Sequence, residues 1–537
     1  MRGSEGEGGQ DLGLGEGRCM KEVSEAVRPI FQQIAAGGRS RLYDEEILEE
    51  ECDTSSADEQ ITCLTTEEAE KSRCEDLFVQ VLKSLGEDVR RQGILKTPTR
   101  YAKAVSEMLS GYKKTAEEVL GDAVFHEECV YGKKQVVCVG SIDFYSTDMR
   151  TLLPFFGEVH ISYLPAGGNV AGLSKFARIT EVFSKRLQTP EKLAGDIASS
   201  IEGLLAPLGV LVVVNCVHLK ESSLEGLGPS SSNLDAGSFQ AGGGGKMNTH
   251  VEARGAFLDQ KGKEAKEILG LIDFASFGAG GRDDGGSVAR CFNGVLDNVL
   301  SMKEKEEYRE REHSVKNLIY RMHAQAPHLS GGCRECTPVS ADMLWSASDK
   351  YASWLMMMTS GSHFSTEYVL HVVRTMQQDR NGECEVEDPD TVFRRGRMSN
   401  GKDGHTCELY TSVGTVCEHH ILPFFGKVYI SLLQNGGRAE VTREELSAIV
   451  WKHSRQLQLQ ERLGTQIADD IEKFFPLLDG VFVCMSAYHH CMRARGAEKT
   501  SAKTLSVIKR GFYEENEAAA MDAVQKYRGI VSKNHNE

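Results

Sequence analysis

A stretch of eleven residues occurs twice in this chain of 537 residues, and the two copies lie 269 positions apart. Leu152-Leu-Pro-Phe-Phe-Gly-Glu-Val-His-Ile-Ser reappears as Ile421-Leu-Pro-Phe-Phe-Gly-Lys-Val-Tyr-Ile-Ser. Further along, Arg186-Leu-Gln-Thr-Pro-Glu-Lys-Leu reappears as Gln456-Leu-Gln-Leu-Gln-Glu-Arg-Leu at a spacing of 270. Because the register holds between the two matches, the chain is a duplication of one module of roughly 200 residues.

Each copy carries the same order of predicted elements. Apolar runs of strand length follow each Pro-Phe-Phe-Gly, and another covers residues 135–145 of the first copy. A further strand-length run begins at Val210 in the first copy and at Gly480 in the second. Apolar residues at helical spacing cover residues 174–187 and 191–205, and again 443–457 and 461–475. Strands followed by paired helices predict an α+β fold of two tandem modules. In each, an antiparallel sheet has two helices packed on one face, preceded by N-terminal helices.

Composition predicts where the modules begin and end. Between residues 44 and 70 there are twelve acidic residues and no basic one, so residues 1–71 are expected to be an acidic, disordered tail. The Gly-rich stretch 276–286 is predicted to be a flexible linker, and 222–245 a Gly/Ser loop inside the first module. The modules are therefore expected at 72–275 and 287–537.

Charge and composition exclude several classes of function. The net charge is −16, and no basic stripe is present, so nucleic-acid binding is not expected. The longest apolar stretch, residues 204–217, is too short to span a bilayer, so no membrane partner is expected. Fifteen scattered cysteines do not form the pattern of a disulfide framework, which favours the cytoplasm.

The second module contains a candidate metal site. Cys417-Glu-His-His420 follows a predicted strand, and Cys491 comes 71 residues after His420. Three soft ligands suit zinc with one position open to water, as a catalytic site requires. Buried thiols and surface histidines are the alternative interpretation of this spacing. His419 and His489 favour catalysis, because hydrolysis needs proton carriers beside the metal.

The ordered motifs of the second module resemble those of GTP cyclohydrolase I. They are Cys-Glu-His-His, Pro-Phe-Phe-Gly, Gln-x-Gln-Glu-Arg-Leu and His-x-Cys-Met-x-x-Arg-Gly. The resemblance implies a tunnelling-type fold, and it implies zinc bound by Cys417, His420 and Cys491. It further implies proton transfer by His419 and His489. Gln460 and Glu461 would read the guanine edge, and Arg495 would face phosphate.

The two copies have lost different parts of the family pattern. The first module keeps Gly172-Leu-Ser-Lys-Phe-Ala-Arg178 and Thr97-Pro-Thr-Arg-Tyr-Ala-Lys103. By the resemblance, these segments supply triphosphate ligands: Arg100, Lys103, Ser174, Lys175 and Arg178. At its metal positions the first module instead has Asp148, Thr151 and Lys220, and Pro190 precedes Glu191.

The second module shows the opposite losses. It has Thr442-Arg-Glu-Glu445 and Ala448 where phosphate ligands are expected, so its carboxylates should repel a triphosphate. Lys350 is retained upstream, but Ser353 replaces the second base. Neither module has a complete site, whereas the two together have one. This division resembles the two-module form of the enzyme found in plants.

The resemblance implies that the chain hydrolyses GTP to 7,8-dihydroneopterin triphosphate and formate, the first step of pterin and folate synthesis. A composite site at a module interface is expected, in a homo-oligomer, and sites between chains are favoured over sites within one chain. Two alternatives remain open. One is another zinc-dependent purine nucleotide hydrolase that stops after ring opening, and the other is a non-catalytic nucleotide- or pterin-binding scaffold.

Overall fold

The computed structural model describes residues 66–127, 136–218, 248–258, 302–324, 339–379, 391–397, 404–435, 441–496 and 503–534. The predicted linker 276–286, the loop 222–245 and Lys220 lie outside these ranges, as does most of the predicted tail. The predictions for these segments therefore remain predictions. The first described helix begins at Thr66, within the range expected for the tail.

The first module contains five α-helices and seven strands within the described residues. The helices are α1 (Thr66–Ser84), α2 (Thr97–Met108), α3 (Ala116–Leu120), α4 (Leu173–Ser184) and α5 (Pro190–Leu205). The strands are β1 (Val124–His126), β2 (Val137–Asp148), β3 (Pro154–Leu164), β4 (Asn169–Ala171), β5 (Leu187–Gln188), β6 (Gly209–His218) and β7 (Asn248–Gly255).

The second module repeats most of this order within its described residues, without the short strands β1 and β4 and with one added strand and three added helices. The helices are α6 (Met302–Ala324), α7 (Ala341–Met358), α8 (Thr366–Asp379), α9 (Arg443–Ser454), α10 (Gln460–Phe474), α11 (His490–Arg493), α12 (Phe512–Glu515) and α13 (Glu517–Asn534). The strands are β8 (Val392–Arg397), β9 (Gly404–Cys417), β10 (Pro423–Asn435), β11 (Leu457–Gln458), β12 (Gly480–His489) and β13 (Thr504–Gly511). The added elements are β8 and α11 to α13.

The two main sheets have the same strand order. It is β5-β2-β3-β6-β7 in the first module and β11-β9-β10-β12-β13 in the second, where β8 also pairs with β9. All pairings are antiparallel except those of the two-residue strands β5 and β11. The repeated Pro-Phe-Phe-Gly glycine is explained by close approach, because a Cβ at Gly426 would lie 1.9 Å from the carbonyl oxygen of Ser486. The α+β prediction is confirmed.

Two helices pack on one face of each sheet, as predicted. In the first module, Val159 and Ile161 of β3 join one buried cluster with Ile179 of α4 and Ile197 of α5. The predicted helix 174–187 was too long, because Leu187 and Gln188 leave the helix and pair with the end of β2. The prediction for 443–457 was too long for the same reason, since β11 pairs with β9.

Helix α13 covers the opposite face of the second sheet, which the sequence had not predicted. Ala519, Ala520 and Ala523 of α13 are buried against Tyr429 and other strand residues. Small side chains let this helix approach a face that carries large aromatic rings. The second sheet is therefore covered by helices on both faces.

The N-terminal helices of both modules share one buried cluster. Phe78 of α1, Tyr101 of α2, Ile319 of α6 and Leu355 of α7 belong to it. Residues from the loop after β2 and from the loop after β9 complete the cluster: Met149, Leu152, Leu153 and Ile421. This shared cluster lies beneath the two loops that correspond to each other in the repeat, so it brings the first module against the candidate metal loop of the second.

Candidate metal centre

A tight loop after β9 carries two of the predicted ligands. The amide of Cys417 donates to the Leu422 carbonyl at 2.8 Å, and the amide of Ile421 donates to the Cys417 carbonyl at 2.9 Å. Closing the loop this way requires a left-handed backbone at Ile421, with φ of 53°. The side chains of Cys417 and His420 are thereby held on the same loop.

The third predicted ligand comes from the neighbouring part of the sheet. Strand β12 pairs with β10 and ends at His489, and the short helix α11 then places Cys491 beside the loop. Donor atoms of Cys417, His420 and Cys491 all lie within 4.8 Å of one another. Within the described part of the chain, no other group of three His, Cys, Asp or Glu side chains has this geometry.

The donor set fits a soft divalent cation. Both thiols are at least nine-tenths buried, and the buried Nδ1 of His420 has no hydrogen-bond partner among the described residues. A hydrogen bond from Cys491, followed by contacts with His420 and His489, holds the pKa of Cys417 below its usual range. The pKa of Cys491 is raised because its proton is shared with Cys417 and because it is buried. A thiolate is the form that binds metal.

The two predicted catalytic histidines flank the three ligands. Burial, and then the charge of Arg100, lower the pKa of His419, so its neutral form is favoured and can accept a proton. His489 stacks on Phe424 with ring centroids 4.5 Å apart, and its Nε2 lies 2.8 Å from Oε1 of Gln460. His489 is thus fixed in orientation, while His419 is partly exposed.

The two predicted guanine-binding residues differ sharply in exposure. Gln460 is 1% exposed, and its amide nitrogen donates to the carbonyl oxygens of Met485 and Thr504 and to Oγ of Ser506. Its side chain is therefore occupied in holding His489. Glu461 follows at the start of α10 and is exposed, so its carboxylate is available to a ligand. Their roles in guanine recognition stay predictions.

The structure brings one part of the predicted phosphate set near the metal loop. Arg100 of the first module is close enough to influence the pKa of His419 of the second. Lys103 is exposed and lies 3.9 Å from Glu107, one turn further along α2. Arg495 is exposed, and its Nε donates to the Cys491 carbonyl at 2.7 Å. Basic side chains from both modules therefore border the metal loop.

The other part of the phosphate set lies at the N-terminus of α4. Ser174 and Arg178 are exposed, and no acidic residue occupies the first turn of this helix. Lys175 donates from Nζ to the Val119 carbonyl at 2.9 Å, at the end of α3. Among the described residues, no hydrogen bond or ion pair joins this segment to the metal loop. One chain therefore does not bring all the predicted site residues together by direct contact.

In the first module an ion-pair cluster occupies the position of the metal site. Asp148, at the position of Cys417, accepts from Arg150 at 2.9 Å and lies 3.4 Å from His218. Burial opposes its ionisation, but hydrogen bonds from His218 and Arg150 hold the pKa of Asp148 below its usual value. His218 stacks on Phe155 as His489 stacks on Phe424. The loop geometry persists, with φ of 56° at Leu152, but the soft ligands are absent.

In the second module an internal carboxylate occupies the N-terminus of α9, which corresponds to α4. Glu445 accepts from the amide of Thr442 at 2.9 Å in a capping box, and it pairs with Arg374 at 2.7 Å. The amides of Thr442 and Glu445 are therefore satisfied from within the chain, and a carboxylate stands where a phosphate would bind. Ser353, where the second base was lost, donates to Glu312.

A buried carboxylate in the metal loop was missed by the sequence reasoning. Glu418 is fully buried and forms ion pairs with Arg91 of the first module and Arg462 of the second. Burial opposes its ionisation, but hydrogen bonds from Arg462 and Arg91 keep its pKa below the usual value. The signal was its position between two ligands, where the first module has Met149. The sequence could not identify Arg91 as the partner of Glu418, because the two residues are 327 positions apart.

No helix in the described part of the chain is both long and apolar enough to cross a bilayer. Comparison with known proteins identifies the family. The sequence model of the GTP cyclohydrolase I family matches residues 74–227 and 370–528, once in each module.

Several relatives share this description. GTP cyclohydrolase 1 of Arabidopsis thaliana is 32% identical over 459 residues, which cover 83% of this chain and 88% of that protein. The enzyme of Solanum lycopersicum is 27% identical over 473 residues, covering 84% and 91%. The enzyme of Rattus norvegicus is 46% identical over 142 residues, which are 26% of this chain and 57% of that protein. With two matches to the family model and similarity over most of its length, this chain belongs to the GTP cyclohydrolase I family.

Proposed function

We propose that this chain hydrolyses GTP to 7,8-dihydroneopterin triphosphate and formate. The observation that carries the proposal is the cluster of Cys417, His420 and Cys491, flanked by two histidines, in a member of this family. A purine hydrolase needs an electrophilic centre and proton carriers on the same side of the base. The cluster and its flanking histidines provide both.

Zinc is the metal proposed for the three ligands. Two thiols and one imidazole are the donors that zinc prefers, and three protein ligands leave one position for water. When bound, zinc supplies a Lewis acid that makes water a nucleophile near neutral pH. His419 accepts and returns a proton at the ring nitrogen next to C8, because its neutral form is favoured and it is partly exposed. His489, fixed by Gln460 and Phe424, holds a second proton at a defined position.

Substrate binding is proposed to use residues of both modules. The exposed carboxylate of Glu461 can accept the N1–H and 2-amino donors of guanine. Arg100 and Arg495 supply positive charge beside the metal loop, and Lys103 adds a charge on the same helix as Arg100. Ser174, Lys175 and Arg178 supply a phosphate site at the N-terminus of α4, where free helix amides also favour an anion. The active site is thus composed from two incomplete copies.

A homo-oligomer of the tunnelling type is proposed to complete the site. The segment at α4 makes no described contact with the metal loop of its own chain, so another chain is the natural source of that segment. A cytoplasmic location, and the absence of nucleic-acid and membrane partners, remain predictions from charge and cysteine content.

The test is to incubate the purified protein with GTP and identify the products by mass. Formate and dihydroneopterin triphosphate support the proposal. A ring-opened product that retains the formyl group would indicate the ring-opening hydrolase, and bound zinc without turnover would indicate the scaffold.

Metal content gives an independent prediction. About one zinc per chain is expected, because only the second module has the ligands. Cys417→Ser should lose metal and activity together, whereas Asp148→Ala, its counterpart in the first module, should lose no metal. Elemental analysis of the three proteins measures this. Two zinc ions per chain, or none after gentle purification, would contradict the assignment.

A further inference from the structure

A buried carboxylate lies in the middle of the metal loop. Glu418 separates Cys417 from the two histidines, and its side chain is fully buried. Arg91 of the first module donates from Nη1 to its Oε2 at 2.5 Å, and Arg462 of the second module donates to the same oxygen. The two modules therefore meet at one charged atom next to a predicted metal ligand.

Arg91, Gly93 and Thr97 of the first module form a socket around Glu418. Thr97 donates from Oγ1 to the backbone carbonyl of Glu418 at 2.9 Å. Gly93 leaves room for the carboxylate, since a Cβ there would lie 2.0 Å from Oε1. Glu87 accepts from Arg91 at 3.1 Å and so orients the guanidinium. Both the side chain and the backbone of Glu418 are thus held by a short segment of the other module.

The corresponding loop of the first module has no such ion pair. Met149 takes the position of Glu418 and is buried in the shared apolar cluster. Ala341 takes the position of Arg91 at the 250-residue spacing that relates Arg100 to Lys350. Lys192, at the position of Arg462, pairs with Asp196 instead. The ion pairs of Glu418 therefore occur where the metal ligands are retained, and at the corresponding position of the other loop Met149 packs among apolar side chains.

This difference argues against a purely stabilising role. Replacing a buried ion pair by apolar side chains often leaves a fold as stable or makes it more stable, because charges are costly to desolvate. The loop after β2 keeps its backbone geometry with Met149 in place. The two arginines and Thr97 instead fix the position of Glu418 against the first module. Residues that orient metal ligands contribute to metal affinity and activity.

We propose that Glu418 is a positioning residue through which the Arg91–Thr97 segment of the first module sets the geometry of the metal centre in the second. The inference rests on the proposed zinc site and goes beyond it, because it makes metal binding by one module depend on the other.

The first experiment compares Arg91→Ala with Arg90→Ala. Both variants remove one arginine from adjacent positions, but Arg90 is exposed and has no part in the socket. The zinc dissociation constant is measured by competition with a chromophoric chelator, and kcat and KM for GTP are measured separately. Arg91→Ala should weaken zinc binding about 10- to 100-fold and lower kcat, with KM changed less than about twofold. Arg91→Lys should recover part of both losses, and Arg90→Ala should match the unmodified protein.

A double-mutant cycle tests whether the two residues act together. If they do, Glu418→Gln combined with Arg91→Ala should weaken zinc binding about as much as the worse single change, whereas independent effects would multiply. Far-UV circular dichroism checks folding, and if Arg91→Ala does not fold, Arg91→Lys and Glu418→Gln are compared in its place. Unchanged zinc affinity and kcat in folded Arg91 or Glu418 variants would overturn the inference while leaving the proposed function intact. An unmodified protein with neither zinc nor turnover would overturn both.

Discussion

Ile421 shows how a single residue can be retained in an unfavourable conformation. A β-branched residue in the left-handed region costs on the order of 1–3 kcal/mol. Complete burial of an isoleucine side chain contributes about 1.5–3 kcal/mol, so burial in the shared cluster offsets the strain. A glycine would relieve the backbone but lose the burial. Leu152 occupies the same position in the first module with the same sign of φ, so the loop shape does not depend on metal.

Glu461 is predicted to set base identity. Glu461→Gln replaces one acceptor oxygen with a donor that faces the donors of guanine, which costs about 2–3 kcal/mol. The value of kcat/KM for GTP should therefore fall by about two orders of magnitude, with zinc content unchanged. Steady-state kinetics and metal analysis on the same sample measure this.

The matched control is Glu191→Gln at the corresponding position of the first module. Glu191 lies 3.3 Å from His250 and follows Pro190, far from any soft ligand set in the described residues. Its replacement should leave kcat/KM unchanged. Equal effects of the two changes would remove Glu461 from guanine recognition.

Spacing left two interpretations of Cys417, His420 and Cys491 open, and the resemblance to GTP cyclohydrolase I made them the predicted ligands. The structure places the first two in one loop and the third in the short helix after β12. Spacing was insufficient for Gln460. Its partners are Met485, Thr504 and Ser506, which reach it only after β12 and β13 have paired. The apolar pattern predicts strands but not the register in which β12 and β13 pair, so the inward direction of this amide became visible only in the structure.

At the scale of elements, α4 and α9 occupy corresponding positions in the repeat, but their N-termini have opposite electrostatic character. The N-terminus of a helix attracts anions through free amides and the helix dipole. In α9, the Thr442 side chain caps the amide of Glu445, and Glu444 and Glu445 place two carboxylates in the first turn. In α4, the N-cap is Gly172, which makes no side-chain capping bond, and Lys175 follows. Capping stabilises α9, whereas α4 keeps its N-terminus open for a ligand.

Lys175→Glu should give α4 the negative charge that α9 has at Glu445. The expected result is a steep rise in KM for GTP or complete loss of turnover, because a carboxylate replaces an ammonium at the triphosphate. Zinc content should not change.

Lys83→Glu is the control, since it makes the same change in net charge at an exposed position near the end of α1. It should leave the kinetics as they are. Normal kinetics for Lys175→Glu would exclude the first module as the triphosphate anchor.

The two helices that pack on each sheet, α4 with α5 and α9 with α10, could be predicted because apolar residues recur at helical spacing on the face that meets the sheet. Helix α13 was not predicted to cover the second face. Three of its buried residues are alanines, which hydrophobic patterning weights little, and its partners include aromatic rings on strands. The sequence therefore indicated one covered face where the second module has two.

At the scale of the whole molecule, the question is which chain supplies each part of the site. The contact between Arg91 and Glu418 forms within one chain, whereas the α4 segment makes no described contact with the metal loop of its own chain. Lys175, which lies in the α4 segment, is therefore the residue that we most expect another chain to supply. The sequence repeat predicted that one module supplies the phosphate ligands and the other the metal ligands. It carries no information about whether the two modules of one site belong to the same chain.

Co-expression of impaired variants tests which chain supplies the α4 segment and which supplies Arg91. Lys175→Ala lacks its phosphate ligand and Cys417→Ser lacks its metal, so co-expression should restore part of the activity if another chain supplies α4. Arg91→Ala co-expressed with Cys417→Ser is the matched pair. It should give no more activity than Arg91→Ala retains alone, because the socket and its metal loop share one chain. Activity is measured on mixed assemblies isolated through two affinity tags. No restoration in the first pair would place the complete site within one chain.

The cluster shared by the N-terminal helices also determines the order in which the protein can mature during translation. Ser84 ends α1, and Met358 ends α7 about 270 residues later. At typical rates of synthesis this separation corresponds to roughly 15–55 s. Throughout that interval the apolar faces of α1 and α2 lack the helices that bury them in the finished protein. A nascent chain therefore exposes this apolar surface until its second half has been synthesised, and transiently exposed apolar surface is what makes partly folded chains prone to aggregation.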